Sequence, residues 1–212
     1  MTKSLLIVFV KNITLGTVKT RLAHTIGDFG AYEVYKELVS LTEQTSNSVS
    51  CDKQVYFSTA IEDSLWPNAK KYLQKGDDLG ERMYNAFKNG FDSGYERIVL
   101  IGSDLADLAE EDISKGLEQL QNNEVVFGPA DDGGYYLIGL SSLRQDIFIN
   151  KPWSQSYLLQ ETLSQLSKAK ANVALLDYKN DIDTYNDLIN SDFYKSNKQL
   201  QEKIKQLNAQ IH

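Results

Sequence analysis

Ser4-Leu-Leu-Ile-Val-Phe-Val-Lys-Asn-Ile-Thr-Leu-Gly-Thr-Val-Lys-Thr-Arg-Leu22 is the stretch on which the fold turns. Ser4 to Val10 is apolar at every position but the first, the composition of a strand buried on both faces. The chain then opens directly into a loop that holds Gly16 and the cations Lys11, Lys19 and Arg21. A buried strand ending in such a loop gathers backbone N–H groups and positive charge at one point, which suits a phosphate chain. The spacing is neither that of a Walker loop nor the G-x-G-x-x-G dinucleotide turn. A solvated basic loop is the competing reading.

Further runs rich in β-branched and aromatic residues recur at 53–58, 97–102, 124–128, 134–140 and 172–176. Between them, apolar residues return at helical spacing. Val34, Leu38 and Leu41 share one face, as do Met83, Phe87 and Phe91; Ile113, Leu117 and Leu120; and Leu159, Leu163 and Leu166. Alternating strands and helices predict an α/β protein with a mostly parallel sheet covered on both faces. Runs 124–128 and 134–140 are separated only by Pro129-Ala-Asp-Asp-Gly133, too short for a crossover helix. They are expected to pair antiparallel or to turn away at the sheet edge, so the sheet is mixed. From about residue 184 the pattern is helical, with Leu200, Ile204 and Leu207 on a narrow stripe. That stripe predicts either a loosely packed terminal helix or a contact for a second subunit.

The chain has 212 residues, of which 42% are hydrophobic and 24% charged, and only three prolines. One domain spanning 1–212 is expected. A net charge of -7 argues against a nucleic-acid partner. Neither a membrane-length apolar run nor a signal-peptide pattern is seen, so a cytoplasmic protein is expected. Cys51 is the only cysteine, which excludes an intrachain disulfide, and His24 and His212 lack the spacing of a zinc site.

In open α/β sheets, ligands collect at the carboxyl ends of the strands. Asp104 follows the 97–102 run directly, and Asp107 lies one helical turn further on. A carboxylate at a strand end beside a phosphate loop is what Mg²⁺ or Mn²⁺ requires; the competing role is a helix cap, which suits Asp107 better. Asp183, in Asp181-Ile-Asp-Thr184, offers a second carboxylate for the same ion or an N-cap for the helix after it. The hairpin Gly128-Pro-Ala-Asp-Asp-Gly-Gly-Tyr-Tyr136 is either turn chemistry or an acceptor site in which Asp131, Asp132 or Tyr135 hold hydroxyl groups. Gln74-Lys-Gly-Asp-Asp-Leu-Gly-Glu-Arg-Met83 precedes a helix and suits a structural turn or a loop that meets a base or sugar.

In this order, FVKNITLGTVKTRLA, QKGDDLGERMYNAF, VLIGSDLADL, VVFGPADDGGYYLIGL, the 148–154 stretch and DIDTYNDL resemble a bacterial family of the DUF2064 type, glycosyltransferase-A-like or nucleotide-diphospho-sugar-transferase-like. More distantly they are similar to 2-phospho-lactate guanylyltransferases and molybdenum-cofactor nucleotidyltransferases. Ile13 stands where the family usually has proline, and Leu105-Ala106 where it usually has Cys-Pro; neither removes a charged group. The resemblance implies a Rossmann-like three-layer α/β/α fold of the GT-A type and transfer from an activated nucleotide.

Nucleotide binding is therefore expected of Lys11, Gly16, Lys19, Arg21, Gln74, Gly76 and Ser103, and metal binding of Asp104 and Asp183. Acceptor binding falls to Asp131, Asp132, Gly133, Gly134 and Tyr135. Lys19, Arg21, Asp104 and Asp132 are the expected catalytic groups. The leading reaction is nucleotidyl transfer from a nucleoside triphosphate to a phosphorylated small-molecule acceptor, releasing pyrophosphate. Glycosyl transfer from a nucleotide sugar, and nucleotide binding without catalysis, are the alternatives; a homo-oligomer is compatible with each.

Overall fold

The side chains of the first strand, β1 (Ser4–Val10), divide between two cores. Leu5, Ile7 and Phe9 enter one cluster, Leu6, Val8 and Val10 the other, so the strand lies at the centre of a layered structure. The computed structural model describes residues 3–209; residues 1–2 and 210–212, His212 among them, lie outside the described set. After β1 come α1 (Thr20–Ser48), β2 (Asp52–Phe57), β3 (Lys70–Leu73), α2 (Leu79–Asp92), β4 (Arg97–Ile101) and α3 (Glu110–Gln119). The second half contains β5 (Val125–Pro129), β6 (Tyr135–Leu140), α4 (Leu158–Lys168), β7 (Val173–Leu175), α5 (Tyr185–Asn190), α6 (Asp192–Ser196) and α7 (Lys198–Ala209).

The strands form one seven-stranded sheet in the order β3-β2-β1-β4-β6-β5-β7. Only β6 runs against the rest, pairing antiparallel with both β4 and β5. This bears out the mixed sheet expected from the short 129–133 linker. The core on one face joins the sheet to Tyr35 and Val39 of α1 and Ile113 of α3. The other joins it to Met83 and Phe87 of α2 and Leu159 and Leu166 of α4. The three-layer α/β/α expectation holds.

Strand β3 escaped the sequence reading. It is four residues long, Lys-Lys-Tyr-Leu, and lies at the sheet edge with none of the four fully buried. An edge strand with lysines carries little apolar signal, because one side of its backbone faces solvent. Strand β7 is shorter than expected, ending at Leu175.

The C-terminal stripe is covered by this same chain. Leu200 and Ile204 of α7 are buried with Leu22, Ile26, Val34 and Leu38 of α1 and with Leu188 of α5. Lys203 reinforces the contact with a 2.7 Å ion pair to Glu33. Helix α1 therefore packs on the sheet with one side and on α7 with the other; it bends at Gly27, whose φ of 72° interrupts the helical path.

Ile204→Ala and Leu200→Ala should each cost about 2–4 kcal/mol in urea unfolding, the usual range for truncating a buried aliphatic side chain. Circular dichroism and tryptophan fluorescence should report one shared transition. Separate transitions would show the terminal helices to fold independently of the sheet.

Candidate functional site

The carboxyl ends of parallel β1, β4 and β5 lie along one edge of the sheet, and antiparallel β6 begins at that edge instead of ending there. The Asp131–Gly134 turn is thereby set opposite the β1 and β4 loops. Beyond β7 the chain keeps following β5: the Asp131 N–H donates to the Lys179 carbonyl at 3.0 Å, and the Lys179 N–H to the Pro129 carbonyl at 3.1 Å. That pairing delivers Asp181 beside the turn. Between these segments is a cleft of about 600 Å³ whose walls include Lys11, Gln74, Arg82, Ser103, Asp104, Asp132, Tyr135, Trp153 and Asp181. Phe9, Met83, Leu100 and Ile138 form its apolar floor.

Behind the acidic wall lies Lys19, whose side chain is 4% exposed. Its Nζ meets Asp183 Oδ1 at 2.9 Å and Asp104 Oδ2 at 3.2 Å, so the two carboxylates come within about 6 Å of each other. Burial lowers the pKa of this ammonium, but Asp104 and Asp183 outweigh that effect and raise it. Arg21 Nη1 approaches Asp183 at 3.9 Å from solvent. Neither aspartate serves as a helix cap. Thr184 caps α5 and Asp187 completes the capping box, while α3 starts well after Asp104, at Glu110.

Asp181 has the opposite environment. Burial is the main cause that lifts its carboxyl to about 7; Asp104, Asp183 and Asp132 add to the rise, and Lys19 opposes it. The loops themselves are fixed from beneath. The buried Tyr35 hydroxyl accepts from the Lys11 N–H at 3.1 Å, bonds the Lys11 carbonyl at 3.0 Å and meets the Ser103 hydroxyl at 2.8 Å. Asn12 Oδ1 accepts from the Thr59 and Ala60 N–H groups at 2.9 and 3.2 Å, and its Nδ2 donates to the Ala60 carbonyl at 2.7 Å.

Of the residues expected from sequence, Lys11, Gln74, Ser103, Asp104, Asp132, Gly134 and Tyr135 line the cleft. Gly16, Lys19, Arg21, Gly76, Asp131, Gly133 and Asp183 do not. Lys19 is buried against Asp104 and Asp183 and does not face the open cleft, while Arg21 is largely exposed and only approaches Asp183. Gly133 supports the turn: at φ 88°, a Cβ there would strike the Ser156 carbonyl at 1.8 Å. Asp107 pairs with Lys179 at 3.5 Å, in keeping with a structural role. Asp78 caps α2 by accepting from the Glu81 N–H at 2.8 Å, so the acids of that loop serve the helix.

Sequence reasoning missed Asp181, Arg82, Trp153, Tyr35 and Asn12. Asp181 stood in a motif already singled out, two residues before the aspartate chosen. Arg82 shares a helical face with Leu79 and Met83, a pattern that could have placed it on the cleft wall. It donates from Nε to the Gly76 carbonyl at 3.0 Å, and among the described residues no carboxylate pairs with it.

Because the folded chain holds a proton on Asp181 that the unfolded chain releases between about pH 4 and pH 7, stability should fall as pH rises through that window. In metal-free protein, Asp181→Asn should raise stability by about 1–2 kcal/mol at pH 8, with the gain vanishing near pH 4. Thermal melts across pH check this; a pH-independent difference would refute it.

Residues 41–155 match the family described as an uncharacterized protein conserved in bacteria, DUF2064. The chain is 31% identical to a protein of Desulfovibrio desulfuricans G20, provisionally described as a nucleotide-diphospho-sugar transferase, over 99% of this chain and 98% of that one, with a TM-score of 0.84. A cytidylyltransferase from Leptospira borgpetersenii shares 14% identity over 97% and 95% of the two chains, with a TM-score of 0.57. A Mycobacterium tuberculosis H37Rv protein crystallised with manganese shares 12% over 88% and 96%, with a TM-score of 0.56. These last two likenesses are of fold alone. No curated protein matches by sequence. The chain belongs to the DUF2064 family of bacterial proteins and has the nucleotide-diphospho-sugar transferase fold.

Proposed function

We propose that the cleft transfers a group from a nucleotide to a small acceptor with the help of Mg²⁺ or Mn²⁺. The observation that carries this reading is that Asp104, Asp132 and Asp181 line one cleft at the carboxyl edge of the sheet together with the cations Lys11 and Arg82. Carboxylate oxygens suit a hard divalent ion, and Asp181, half-buried near other acids, is a group that a cation would relieve. Asp104 and Asp181 would hold the ion, in place of the expected pair Asp104 and Asp183. A cation held there would neutralise charge developing on phosphate oxygens. The manganese complex of the mycobacterial protein with this fold, and the cytidylyltransferase among the relatives, support the same class.

In this reading Lys11 and Arg82 bind the phosphates, and Gln74 and Ser103 position the nucleotide. Lys19 keeps Asp104 and Asp183 in place. In nucleotidyl transfer, an acceptor oxygen bonds to the α-phosphorus while the bond to the bridging oxygen breaks. Its electron pair leaves with pyrophosphate, and any proton on the acceptor oxygen passes to Asp132. Such a reaction rests on positioning and charge stabilisation and needs no nucleophilic side chain. Sugar transfer from a nucleotide sugar is the second reading, favoured by the place of Asp132 on the cleft wall, where it can take the proton of an attacking hydroxyl.

Thermal-shift measurements with the ribonucleoside triphosphates and common sugar nucleotides, with and without Mg²⁺, should show a metal-dependent gain of about 2.7 kcal/mol at a hundred times the dissociation constant. Asp104→Asn and Asp181→Asn should abolish the metal dependence, and Lys11→Ala or Arg82→Ala should weaken nucleotide binding about tenfold. Pyrophosphate as product identifies the first reaction, nucleoside diphosphate the second. No shift with any nucleotide would reject both.

A further inference from the structure

Lys179 is not among the residues that line the cleft, yet the three segments carrying the cleft aspartates meet at it. It lies on the chain that continues past β7, where it runs parallel to Ala130. Its N–H donates to the Pro129 carbonyl at 3.1 Å and its carbonyl accepts from the Asp131 N–H at 3.0 Å, which holds the base of the turn that bears Asp132. Asp181 follows two residues later. The side chain reaches the other way, to the loop after β4. Its ammonium donates to the Asp107 carbonyl at 2.7 Å and pairs with Asp112 Oδ2 at 3.1 Å and Asp107 Oδ2 at 3.5 Å. Asp104 stands three residues before that carbonyl.

The far end of this bridge is itself held. Asp112 Oδ2 also accepts from the Ala109 N–H at 2.8 Å, so the carboxylate that receives the ammonium closes the start of α3. The side chains of Lys179 and Asp112 are only 14% and 12% exposed. Charge-assisted hydrogen bonds in such an enclosed place are strong and directional, and a main-chain carbonyl among the acceptors fixes where the loop lies. Charge by itself does not explain the placement. Besides burial, the influences on the Asp181 carboxyl come from Asp104, Lys19, Asp183 and Asp132, and Lys179 is not one of them. The Lys19 ammonium ties Asp104 to Asp183; the tie from the Asp104 loop to the Asp132 turn comes from Lys179.

We infer that Lys179 is a positioning residue, which sets the spacing of Asp104, Asp132 and Asp181 by joining the three segments that carry them. The inference rests on the metal-assisted reading of the cleft and adds to it the residue that assembles its carboxylates. Positioning and charge predict opposite signs. A cation near a carboxylate site repels a divalent ion, so deleting its charge alone tightens metal binding. Deleting a residue that orients the ligands loosens it, because they no longer converge at coordination distance.

Mn²⁺ titrated into the full chain without nucleotide, with the free ion followed by electron paramagnetic resonance, tests this. Lys179→Met should raise the Mn²⁺ dissociation constant at least fivefold. Lys179→Gln, equally uncharged but able to donate to the Asp107 carbonyl, should fall between the wild type and Lys179→Met. If Lys179→Met does not fold, Lys179→Gln carries the comparison, with an expected rise of at least twofold. A merely structural ion pair would lower the melting temperature and leave the dissociation constant unchanged, and a merely electrostatic one would lower the dissociation constant. Either result would overturn the inference. Asp104→Asn keeps that failure apart from failure of the transferase reading. Loss of Mn²⁺ binding in Asp104→Asn but not in the Lys179 variants would reject the role of Lys179 and leave the metal site standing. Mn²⁺ binding that is absent from the wild type, or unaffected by Asp104→Asn, would reject the site itself and the inference with it.

Discussion

The buried ammonium of Lys19, held between Asp104 and Asp183, is the interaction on which the arrangement of the cleft depends. It ties the start of α1 to the loop after β4 and to the segment after β7, three parts of the chain distant in sequence. An ion enclosed in this way contributes little net stability against an apolar replacement, but removing one partner leaves an uncompensated charge and is costly. Its effect is therefore on geometry. With Lys19 committed to two carboxylates, Asp104 is fixed at the mouth of the cleft, and the net negative charge of the acidic wall is reduced without a metal. The backbone shares in this arrangement: Lys19 itself has φ 48°, a left-handed conformation that turns the chain from the loop into α1.

Topology supplies the second constraint. A wholly parallel sheet would carry the strand after β5 away through a crossover and place a helix where the Asp131–Gly134 turn now lies. Inserting β6 antiparallel between β4 and β5 leaves that turn at the carboxyl edge, next to the loops after β1 and β4. Gly133 makes the close approach to Ser156 possible, and the pairing of Asp131 with Lys179 adds the final segment.

Much of the fold was legible in the residues alone. Continuous apolar strands such as β1, β4 and β5 and the helical stripes of α2, α3 and α4 follow from periodicity, a local property of the chain. The five residues of the 129–133 linker excluded a crossover by length, and so determined that the sheet is mixed. Strand-end acids and a basic loop pointed to the sheet edge at which the cleft lies. What tertiary structure alone decided is which of these groups face the cleft. Asp181 and Asp183 are two residues apart, yet one borders the cleft and the other lies behind it on Lys19, a choice made by the pairing of 129–131 with 179. Lys19 and Arg21 read as phosphate ligands by charge and position, and in the fold they face carboxylates from distant segments, Asp104 and Asp183 for Lys19 and Asp183 for Arg21. Coulombic partners and burial are properties of three-dimensional neighbours, and a linear sequence names the charges without saying which of them meet.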